Sequence, residues 1–323
     1  MKKCAFVTII GRPSVGKSTL LNKMCGEKVA IVSRIPQTTR NAIRGIVNRE
    51  EGQLVFVDTP GRHSSEKKMN KKLMEVSNRS LADSDLALYV MDASRAPGAE
   101  EDEIIALLSP LAAKTVIAIN KIDLPNADTG KMIEFINNCS KKNSYADAEN
   151  EEKPAVSSSA PVRPEENLFS SVFYISAVTG EGVEELLTAL FAMSPEGQPF
   201  YGEEYYTDQE TGFRIAEIIR GQAINRLRQE LPHSLYVEIA DMEFKETEND
   251  NGTLWVRAFI IVERESQKGM VVGKGGEMIK KIRIAALKEL KNIFDWKIDL
   301  DIRVKTGKDW RHNDNILRKI IDR

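Results

Sequence analysis

Short apolar runs alternate with helix-length segments through the first 200 residues of the chain. The runs are rich in β-branched residues and include Ala5–Ile10, Leu54–Val57 and Thr115–Ile119. The helix-length segments include Lys68–Leu81, Glu100–Ala112 and Glu181–Met193. Uniformly apolar strands that alternate with helices are typical of a mostly parallel sheet that is covered on both faces and joined by right-handed crossovers. The pattern therefore predicts a doubly wound α/β domain over residues 1–200.

A different order begins after Ser194–Tyr206, where prolines and glycines interrupt both helical and strand periodicity. The pattern then predicts one helix and two strands, at Arg214–Leu227, Leu235–Ile239 and Leu254–Val262. Two further helices flank Gly273–Gly276, and Ile298–Val304 alternates strictly between apolar and charged residues. That alternation indicates a last strand with one buried and one solvated face. The order helix, strand, strand, helix, helix, strand predicts a linker and an α+β domain over residues 201–323.

The segment from Ser140 to Asn167 fits neither pattern. It is built from lysine, glutamate, serine, alanine and proline, with almost no large apolar residue. Such a composition cannot bury enough apolar surface to offset the entropy of ordering the chain. The sequence therefore predicts a flexible surface insertion in the first domain.

Composition and charge restrict the class of protein. The chain has 323 residues, of which 41% are hydrophobic, which suffices for about two folded cores. Cys4, Cys25 and Cys139 show no disulfide or metal spacing, and the chain begins with neither a signal peptide nor a spanning segment. We therefore expect a cytoplasmic protein. The net charge of −2 does not by itself indicate a nucleic-acid partner, although residues 253–323 hold 17 basic and 10 acidic residues.

The segment Gly11–Ser18 directly follows the first apolar run and reads G-x-x-x-x-G-K-S. This is the phosphate-binding P-loop in its usual position between a strand and a helix. Its glycines let backbone N–H groups turn towards a phosphate, Lys17 can reach the β/γ oxygens, and the Ser18 hydroxyl can ligate Mg²⁺. We expect nucleotide contacts from Gly11, Arg12, Pro13, Ser14, Val15, Gly16, Lys17, Ser18 and Thr19.

A second motif ends the next apolar strand, and its residues are Asp58, Thr59, Pro60 and Gly61. At the carboxyl end of a buried strand, the Asp58 carboxylate lies near the P-loop and can hold Mg²⁺ through a water. The N–H of Gly61 is free to approach a γ-phosphate. We therefore expect both residues in the nucleotide site.

The third motif specifies the base. Asn120, Lys121 and Asp123 follow another apolar strand, and Ser176 and Ala177 follow a later one. The Asp123 carboxylate can accept two N–H donors from guanine, whereas adenine lacks that pair. We expect Asn120 to brace the loop, Lys121 to lie over the base, and Ser176 and Ala177 to present backbone to the guanine carbonyl. The nucleotides are therefore expected to be GTP and GDP.

A glycine-rich loop joins two helices of the second domain. Its residues are Gly273, Lys274, Gly275 and Gly276. A loop that is poor in side chains lets an RNA backbone come close, and the helix N-terminus favours phosphate there. Basic residues follow the loop at Lys280, Lys281 and Arg283. Together with the element order, these residues predict an RNA-binding KH domain.

With these motifs in this order, the sequence resembles the Era GTPases, bacterial ribosome-assembly factors with an N-terminal GTPase domain and a C-terminal type II KH domain. The resemblance spans nearly the whole chain. It is carried by Gly11–Ser18, Gln37–Arg40, Asp58–Gly61, Asn120–Asp123, Val262–Lys268 and Gly273–Gly276.

The resemblance implies GTP hydrolysis coupled to the binding of 16S rRNA near its 3′ end during assembly of the 30S subunit. It also implies a monomer that associates peripherally with the cytoplasmic face of the inner membrane. In the family, a threonine of the segment Ile35–Asn41 ligates Mg²⁺ when the γ-phosphate is bound, and the sequence leaves Thr38 and Thr39 both open. Lys17, Thr39 and Gly61 are then the residues expected to act in catalysis.

Three residues bear on the mechanism of GTP hydrolysis. Arg62 stands where Ras-like proteins orient water with glutamine, and it cannot act as a general base near neutral pH. Arg62 either stabilises charge or, more simply, faces solvent. For His63, too, an exposed position is the simpler interpretation. Ser14 replaces the asparagine that related GTPases associate with a monovalent cation, which puts potassium stimulation in doubt.

Two functions from different classes follow from these residues. The first is a GTP-hydrolysing RNA switch, and the second is an RNA-binding scaffold that binds GTP but hardly turns it over. Arg62 keeps the second open. An ATPase or nucleotide kinase is a more distant alternative, against which Asp123 argues.

Overall fold

The computed structural model describes residues 1–33, 35, 38–61, 68–149, 169, 171–227, 231, 234–247 and 250–321. For residues 140–149, 247 and 250–251 it describes the backbone alone. Arg62 and His63 lie outside the described residues, so the alternatives for them remain predictions.

The first domain is a seven-stranded sheet with helices on both faces. Its strands are β1 (Lys2–Ile10), β2 (Ile43–Arg49), β3 (Gly52–Asp58), β4 (Leu86–Asp92), β5 (Thr115–Asn120), β6 (Ser171–Tyr174) and β7 (Glu196–Gly197). Its helices are α1 (Lys17–Cys25), α2 (Lys68–Ala82), α3 (Ala99–Leu108), α4 (Thr129–Glu149) and α5 (Val183–Met193). The strand order is β2-β3-β1-β4-β5-β6, and every pair on this path is parallel except β2 with β3. The prediction of a mostly parallel α/β domain is confirmed.

Strand β4 shows why the sheet must be covered on both faces. All seven of its residues are buried. Leu86, Leu88 and Val90 pack into the core shared with α1 and α5. The alternate residues Tyr89 and Met91 pack into the core shared with α3 and α4. Because side chains alternate across a strand, a uniformly apolar run needs a helix layer on each side.

The segment predicted to be a flexible insertion is helical at its start. Helix α4 continues to Glu149, so residues 140–149 belong to a regular element, and that part of the prediction was wrong. The polar composition is compatible with helix because lysine and glutamate have good helix propensity. Residues 150–167 lie outside the described part of the chain.

The second domain follows the predicted order and adds one helix. Its elements are α6 (Thr211–Ile224), β8 (Leu235–Thr247), β9 (Asp250–Val262), α7 (Glu265–Val272), α8 (Glu277–Leu290), β10 (Lys297–Thr306) and α9 (Asp314–Ile321). Strand β9 lies in the centre of the sheet, antiparallel to β8 and parallel to β10. Helices α6 and α8 cover one face, with Ile219, Ile282, Ala286 and Leu290 fully buried among the strand residues.

Strand β8 is longer than its apolar alternation suggested. A register irregularity between Ile239 and Asp241 shifts the phase of the strand. Beyond it, Met242 lies opposite Val256 and Phe244 lies opposite Leu254. A bulge of this kind moves the apolar positions by one residue, so the alternation could not be followed past Ile239.

The linker between the domains lies against the first sheet. The buried Gln53 amide oxygen accepts hydrogen bonds from the Phe200 N–H at 2.7 Å and the Tyr201 N–H at 3.0 Å. Its Nε2 donates to the Tyr201 carbonyl at 2.9 Å. The Phe200 ring also packs on Phe6, with centroids 4.5 Å apart. The linker, which the sequence marked only as a boundary, is therefore held against the sheet of the first domain.

Among the helices of the described residues, none combines the length and apolar character that a bilayer crossing needs.

Replacing Gln53 by alanine should lower the free energy of unfolding by about 2 kcal/mol, because two backbone N–H groups lose a buried acceptor. Urea unfolding followed by circular dichroism measures the change. Lys131→Ala is the control, since it removes only an exposed ion pair with Asp128 and should change stability by less than about 0.5 kcal/mol. Equal effects of the two substitutions would contradict the role of Gln53.

Candidate functional site

The P-loop takes a conformation that requires glycine at two positions. Gly16 has φ 104° and ends the loop as the N-cap of α1, with no side chain capping the helix. A Cβ at Gly16 would overlap the Asn120 amide, and one at Gly11 would overlap the Val90 carbonyl. The first N–H groups of α1 therefore remain available to an anion, which is the geometry of a phosphate site.

Lys17 is buried at the mouth of this loop. Its Nζ donates to the carbonyls of Gly11 and Arg12, each at 3.0 Å. Burial lowers the pKa of Lys17 to about 8, partly offset by the nearby Asp58 carboxylate. A phosphate at the loop would add negative charge and favour the protonated amine. The structure thus places Lys17 where the sequence predicted it.

Three oxygen ligands converge beside Lys17. The Ser18 hydroxyl donates to Asp58 Oδ2 at 2.6 Å and lies 3.0 Å from the Thr39 hydroxyl. Thr39 also donates to Asp58 Oδ2 at 3.3 Å. Burial raises the pKa of Asp58, while Lys17 and the two hydroxyls act in the opposite direction. Asp58 Oδ1 is buried without a hydrogen-bond partner in the described part of the chain. Hydroxyl and carboxylate oxygens with such an unsatisfied atom fit Mg²⁺.

The same geometry separates the two candidate threonines. The Thr38 hydroxyl donates to the Ile35 carbonyl at 2.7 Å, away from Ser18 and Asp58. Thr39 is therefore the threonine that lies beside Ser18 and Asp58, at the position where these residues would hold a metal, and Thr38, which the sequence left open, is not placed there.

The guanine loop is tied to the P-loop. Asn120 Nδ2 donates to the Val15 carbonyl at 2.8 Å, and Asn120 Oδ1 accepts from the Ala177 N–H at 2.9 Å. Lys121 Nζ donates to the Ser14 carbonyl at 2.8 Å. The bracing role of Asn120 and the contact of Lys121 with the P-loop agree with expectation. The Ala177 N–H donates to Asn120, and the predicted contact of Ser176 and Ala177 with the guanine carbonyl stays a prediction.

Asp92 is a site residue that the motifs did not reveal. Its buried carboxylate accepts from Lys121 Nζ at 2.6 Å and from the Ser94 hydroxyl at 2.6 Å. It ends strand β4, between the strands that carry Asp58 and Asn120. Its place at the carboxyl end of a central strand was the available signal, since ligand sites of such sheets lie there.

The P-loop and the guanine loop border a cleft of about 790 Å³, which is within the range of small-molecule sites. Of the predicted nucleotide contacts, the cleft is lined by Pro13, Ser14, Gly16, Lys17, Ser18, Thr19, Gly61, Asn120, Lys121, Asp123 and Ala177. The remaining predicted contacts are not part of the lining and are Gly11, Arg12, Val15, Asp58, Thr59, Pro60 and Ser176. Arg12, for example, pairs with the buried Glu101 of α3, and the Thr59 hydroxyl donates to the Ile9 carbonyl at 2.8 Å.

The second domain contributes part of the cleft wall. Ile224, Asn225 and Leu227, at and beyond the end of α6, line it together with Ile31 and Val32. Sequence reasoning missed these residues because nothing in the pattern around α6 indicates a neighbour in the first domain. The nucleotide site is therefore shared between domains.

Residues 38–41 connect the metal position to the second domain. Arg220 Nη2 donates to the Thr38 carbonyl at 2.6 Å, and Arg40 Nη1 donates to the Leu235 carbonyl at 2.8 Å. Asn41 Nδ2 donates to the Ile320 carbonyl at 2.6 Å. Burial, with the neighbouring charge of Arg220, lowers the pKa of Arg40 to about 9. Thr39 is thus bound to the nucleotide side of this segment while its neighbours are bound to the second domain.

The glycine loop of the second domain is open to solvent. Gly275 and Gly276 have φ 62° and 80°, and a Cβ at either would meet nothing within 4 Å. Gly276 is the N-cap of α8 without a capping side chain. Positive φ explains why glycine is needed here, and open space leaves room for an RNA backbone.

The basic residues near this loop differ in availability. Lys274 and Lys280 are exposed. Lys281 forms an exposed ion pair with Glu277 at 2.6 Å, which is weak enough to exchange for a phosphate. Arg283 donates to the Leu300 carbonyl at 2.6 Å and pairs with Asp299 at 3.0 Å. Arg283 thus connects α8 to β10, and its predicted contact with RNA stays a prediction.

Comparisons with known proteins agree with this geometry. Residues 6–121 match a family described as 50S ribosome-binding GTPase, and residues 230–311 match the KH domain. GTPase Era of Treponema denticola is 50% identical over 97% of this chain and 98% of its own length.

Two solved structures are similar over 98% of both chains. One is an Aquifex aeolicus Era variant bound to GDP and AlF₄⁻, with a TM-score of 0.83 and 31% identity. The other is Era in complex with MgGDPNP and nucleotides 1506–1542 of 16S ribosomal RNA, with a TM-score of 0.84 and 30% identity. The motifs, the two-domain fold and the full-length similarity together show that this chain belongs to the Era GTPases.

Proposed function

We propose that this GTPase binds 16S rRNA near its 3′ end through the KH domain and uses GTP hydrolysis to control that binding during assembly of the 30S subunit. The observation that carries the proposal is the segment 38–41, which joins Thr39 at the metal position to Arg220 and Leu235 of the second domain. The similar Era structure that holds a 16S rRNA fragment together with a GTP analogue supports binding of both ligands at the same time.

The site residues have separate roles towards Mg²⁺, the phosphates and the base. Bound Mg²⁺ would be held by Ser18, Thr39 and Asp58 and would neutralise charge on the phosphates. Lys17 neutralises charge that develops on the β/γ oxygens. Gly61 lies so close to Pro13 that a Cβ would overlap the Pro13 backbone, so only glycine allows this approach to the P-loop. Asp123 lies exposed in the cleft, where its carboxylate can accept both guanine donors.

The coupling has a simple physical basis. When the γ-phosphate and Mg²⁺ hold Thr39, the carbonyl of Thr38 and the side chain of Arg40 are held with it. Moving the segment would leave the buried guanidinium groups of Arg40 and Arg220 without their carbonyl partners, which is costly. The nucleotide therefore biases the position of the KH domain, and by reciprocity the KH domain biases nucleotide binding.

The scaffold with little hydrolysis is not favoured, because the relatives that match this chain over nearly its whole length are named GTPases. We further propose that the protein acts in the cytoplasm as a monomer, with peripheral contact to the inner membrane carried over from the family. For potassium, the Ser14 hydroxyl offers shorter reach than an asparagine amide, and we propose weak or no stimulation.

The coupling is tested by measuring the affinity for an oligonucleotide of the 16S rRNA 3′ end with a GTP analogue and with GDP. We expect the two dissociation constants to differ by at least about fivefold. Arg220→Ala should bring them within about twofold, because the Thr38 carbonyl is released. Arg226→Ala is the control, since Arg226 lies two residues beyond α6 and its side chain bonds only to Gln222 among the described residues. Equal constants in the unaltered protein would refute the proposal.

The threonine assignment gives a second test. Thr39→Ala should weaken binding of a GTP analogue with Mg²⁺ by about tenfold or more and leave GDP binding nearly unchanged, because only the triphosphate state uses this ligand. Thr38→Ala should change neither dissociation constant by more than about twofold, because Arg220 binds the backbone carbonyl of residue 38, which the substitution keeps. Fluorescent nucleotide titrations measure both, and the reverse order would overturn the assignment.

Base recognition gives a third test. Asp123→Asn should lose the preference for GTP and favour xanthosine triphosphate, because an amide can donate to the xanthine carbonyl where the carboxylate accepted from guanine. Competition titrations with the two nucleotides measure the change. Asp128→Asn, at a half-buried position outside the cleft lining, should retain the guanine preference.

A further inference from the structure

The second domain carries a concentration of acid on one edge. Between residues 238 and 250 the sequence has six acidic residues and one basic residue, whereas residues 253–323 hold 17 basic and 10 acidic. Residues 238–246 of this run lie on strand β8, which is an edge strand. We define the β8 edge as residues 241–246, all of which are exposed.

Two large apolar side chains lie within this acidic edge. Met242 is 42% exposed and Phe244 is 49% exposed. Their cross-strand partners Val256 and Leu254 point into the core of the domain. The bulge after Ile239 therefore turns Met242 and Phe244 to the helix side of the sheet, at a point beyond the main cover of the helices.

An aromatic group extends this apolar surface. Phe244 lies edge-on to Trp296, with ring centroids 6.3 Å apart. Trp296 packs in turn on Phe294, with centroids 5.2 Å apart. The result is a small apolar strip beside a strand whose outer side pairs with no other strand in the part of the chain that the structure describes.

Edge protection accounts for only part of this arrangement. Charged residues and a bulge are the usual means of preventing unwanted strand pairing, and Asp241, Glu243 and Glu246 fit that role. A protected edge would not carry half-exposed Met242 and Phe244, since these make pairing more favourable. Alternating acid and apolar residues on an unpaired strand are instead suited to a partner strand with the opposite charge.

We propose that the β8 edge binds an extended lysine- and arginine-rich arm of a protein of the small ribosomal subunit, which adds as a strand to β8. The acid of Asp241, Glu243 and Glu246 disfavours RNA phosphates at this edge and favours a basic segment. Proteins bound to RNA carry such basic arms. The inference rests on the proposed function, because it places the protein on that subunit while the Gly273–Gly276 loop holds RNA.

Site-specific photo-crosslinking on purified immature small subunits tests the proposal. The full-length protein, loaded with a GTP analogue, carries benzoylphenylalanine in place of Lys245 on the β8 edge. A second version carries it in place of the exposed Met270, three residues before the glycine loop. We expect Lys245→benzoylphenylalanine to crosslink to a lysine- and arginine-rich protein segment, and Met270→benzoylphenylalanine to crosslink to rRNA.

Charge reversal shows whether the edge itself is responsible. Adding Glu243→Lys and Glu246→Lys should lower the yield of the protein crosslink at least about tenfold, and Phe244→Ala should lower it as well. Glu134→Lys with Glu185→Lys is the matched control, because it changes the net charge equally at exposed positions of the first domain and should leave the yield unchanged.

The outcomes separate this inference from the proposed function. If position 245 reaches rRNA or nothing while position 270 reaches rRNA, the inference is overturned and the proposed function stands. Equal loss of the crosslink in both charge-reversed proteins also overturns it, since the attraction would then be general. If the protein neither sediments with the subunits nor crosslinks from position 270, the proposed function fails and the inference fails with it.

Discussion

Residues 38–41 must satisfy two sets of partners at once, one at the nucleotide cleft and one in the second domain. The Thr39 hydroxyl lies 3.0 Å from Ser18 at the metal position, while the Thr38 carbonyl accepts a hydrogen bond from Arg220 at 2.6 Å. Arg40 is 3% exposed, so its charge depends on the Leu235 carbonyl and on the face of Trp310, 5.5 Å from the ring centroid. A change on either side of the segment is therefore felt on the other, because a buried donor without its partner costs more than a bond formed in solvent.

Hydrogen bonds between separate loops organise the nucleotide site. Asn120 links the P-loop to Ala177, and Lys121 links it to the buried Asp92 carboxylate. These bonds hold three loops from separate strand ends in one geometry. A preorganised site spends less of its binding free energy on ordering the loops, so more of it can discriminate between nucleotides.

The second domain separates its charges by location. Lys274 and Lys280 are exposed near the glycine loop, while the acidic residues of the β8 edge lie on the strand at the other side of β9. A polyanion would meet attraction at one side and repulsion at the other, which orients it on the domain. The domain thus offers one surface suited to RNA and another suited to a basic partner, while α6 and α9 face the first domain.

The sequence alone predicted the alternation of strands and helices in the first domain, the element order of the second domain up to β10, the P-loop, the guanine loop and the KH loop, because each depends on residues that are neighbours in the chain. Local spacing sets the turn at Gly16 and the phase of β10, and these were predicted. Only the tertiary structure decided between Thr38 and Thr39, revealed Asp92, and placed Ile224 and Leu227 at the nucleotide cleft. The decisive contacts join residues far apart, such as Arg220 and Thr38, which are 182 positions apart, and no local pattern encodes such a pair. The bulge in β8 shows the same limit at short range, since its position depends on how the strand pairs with β9.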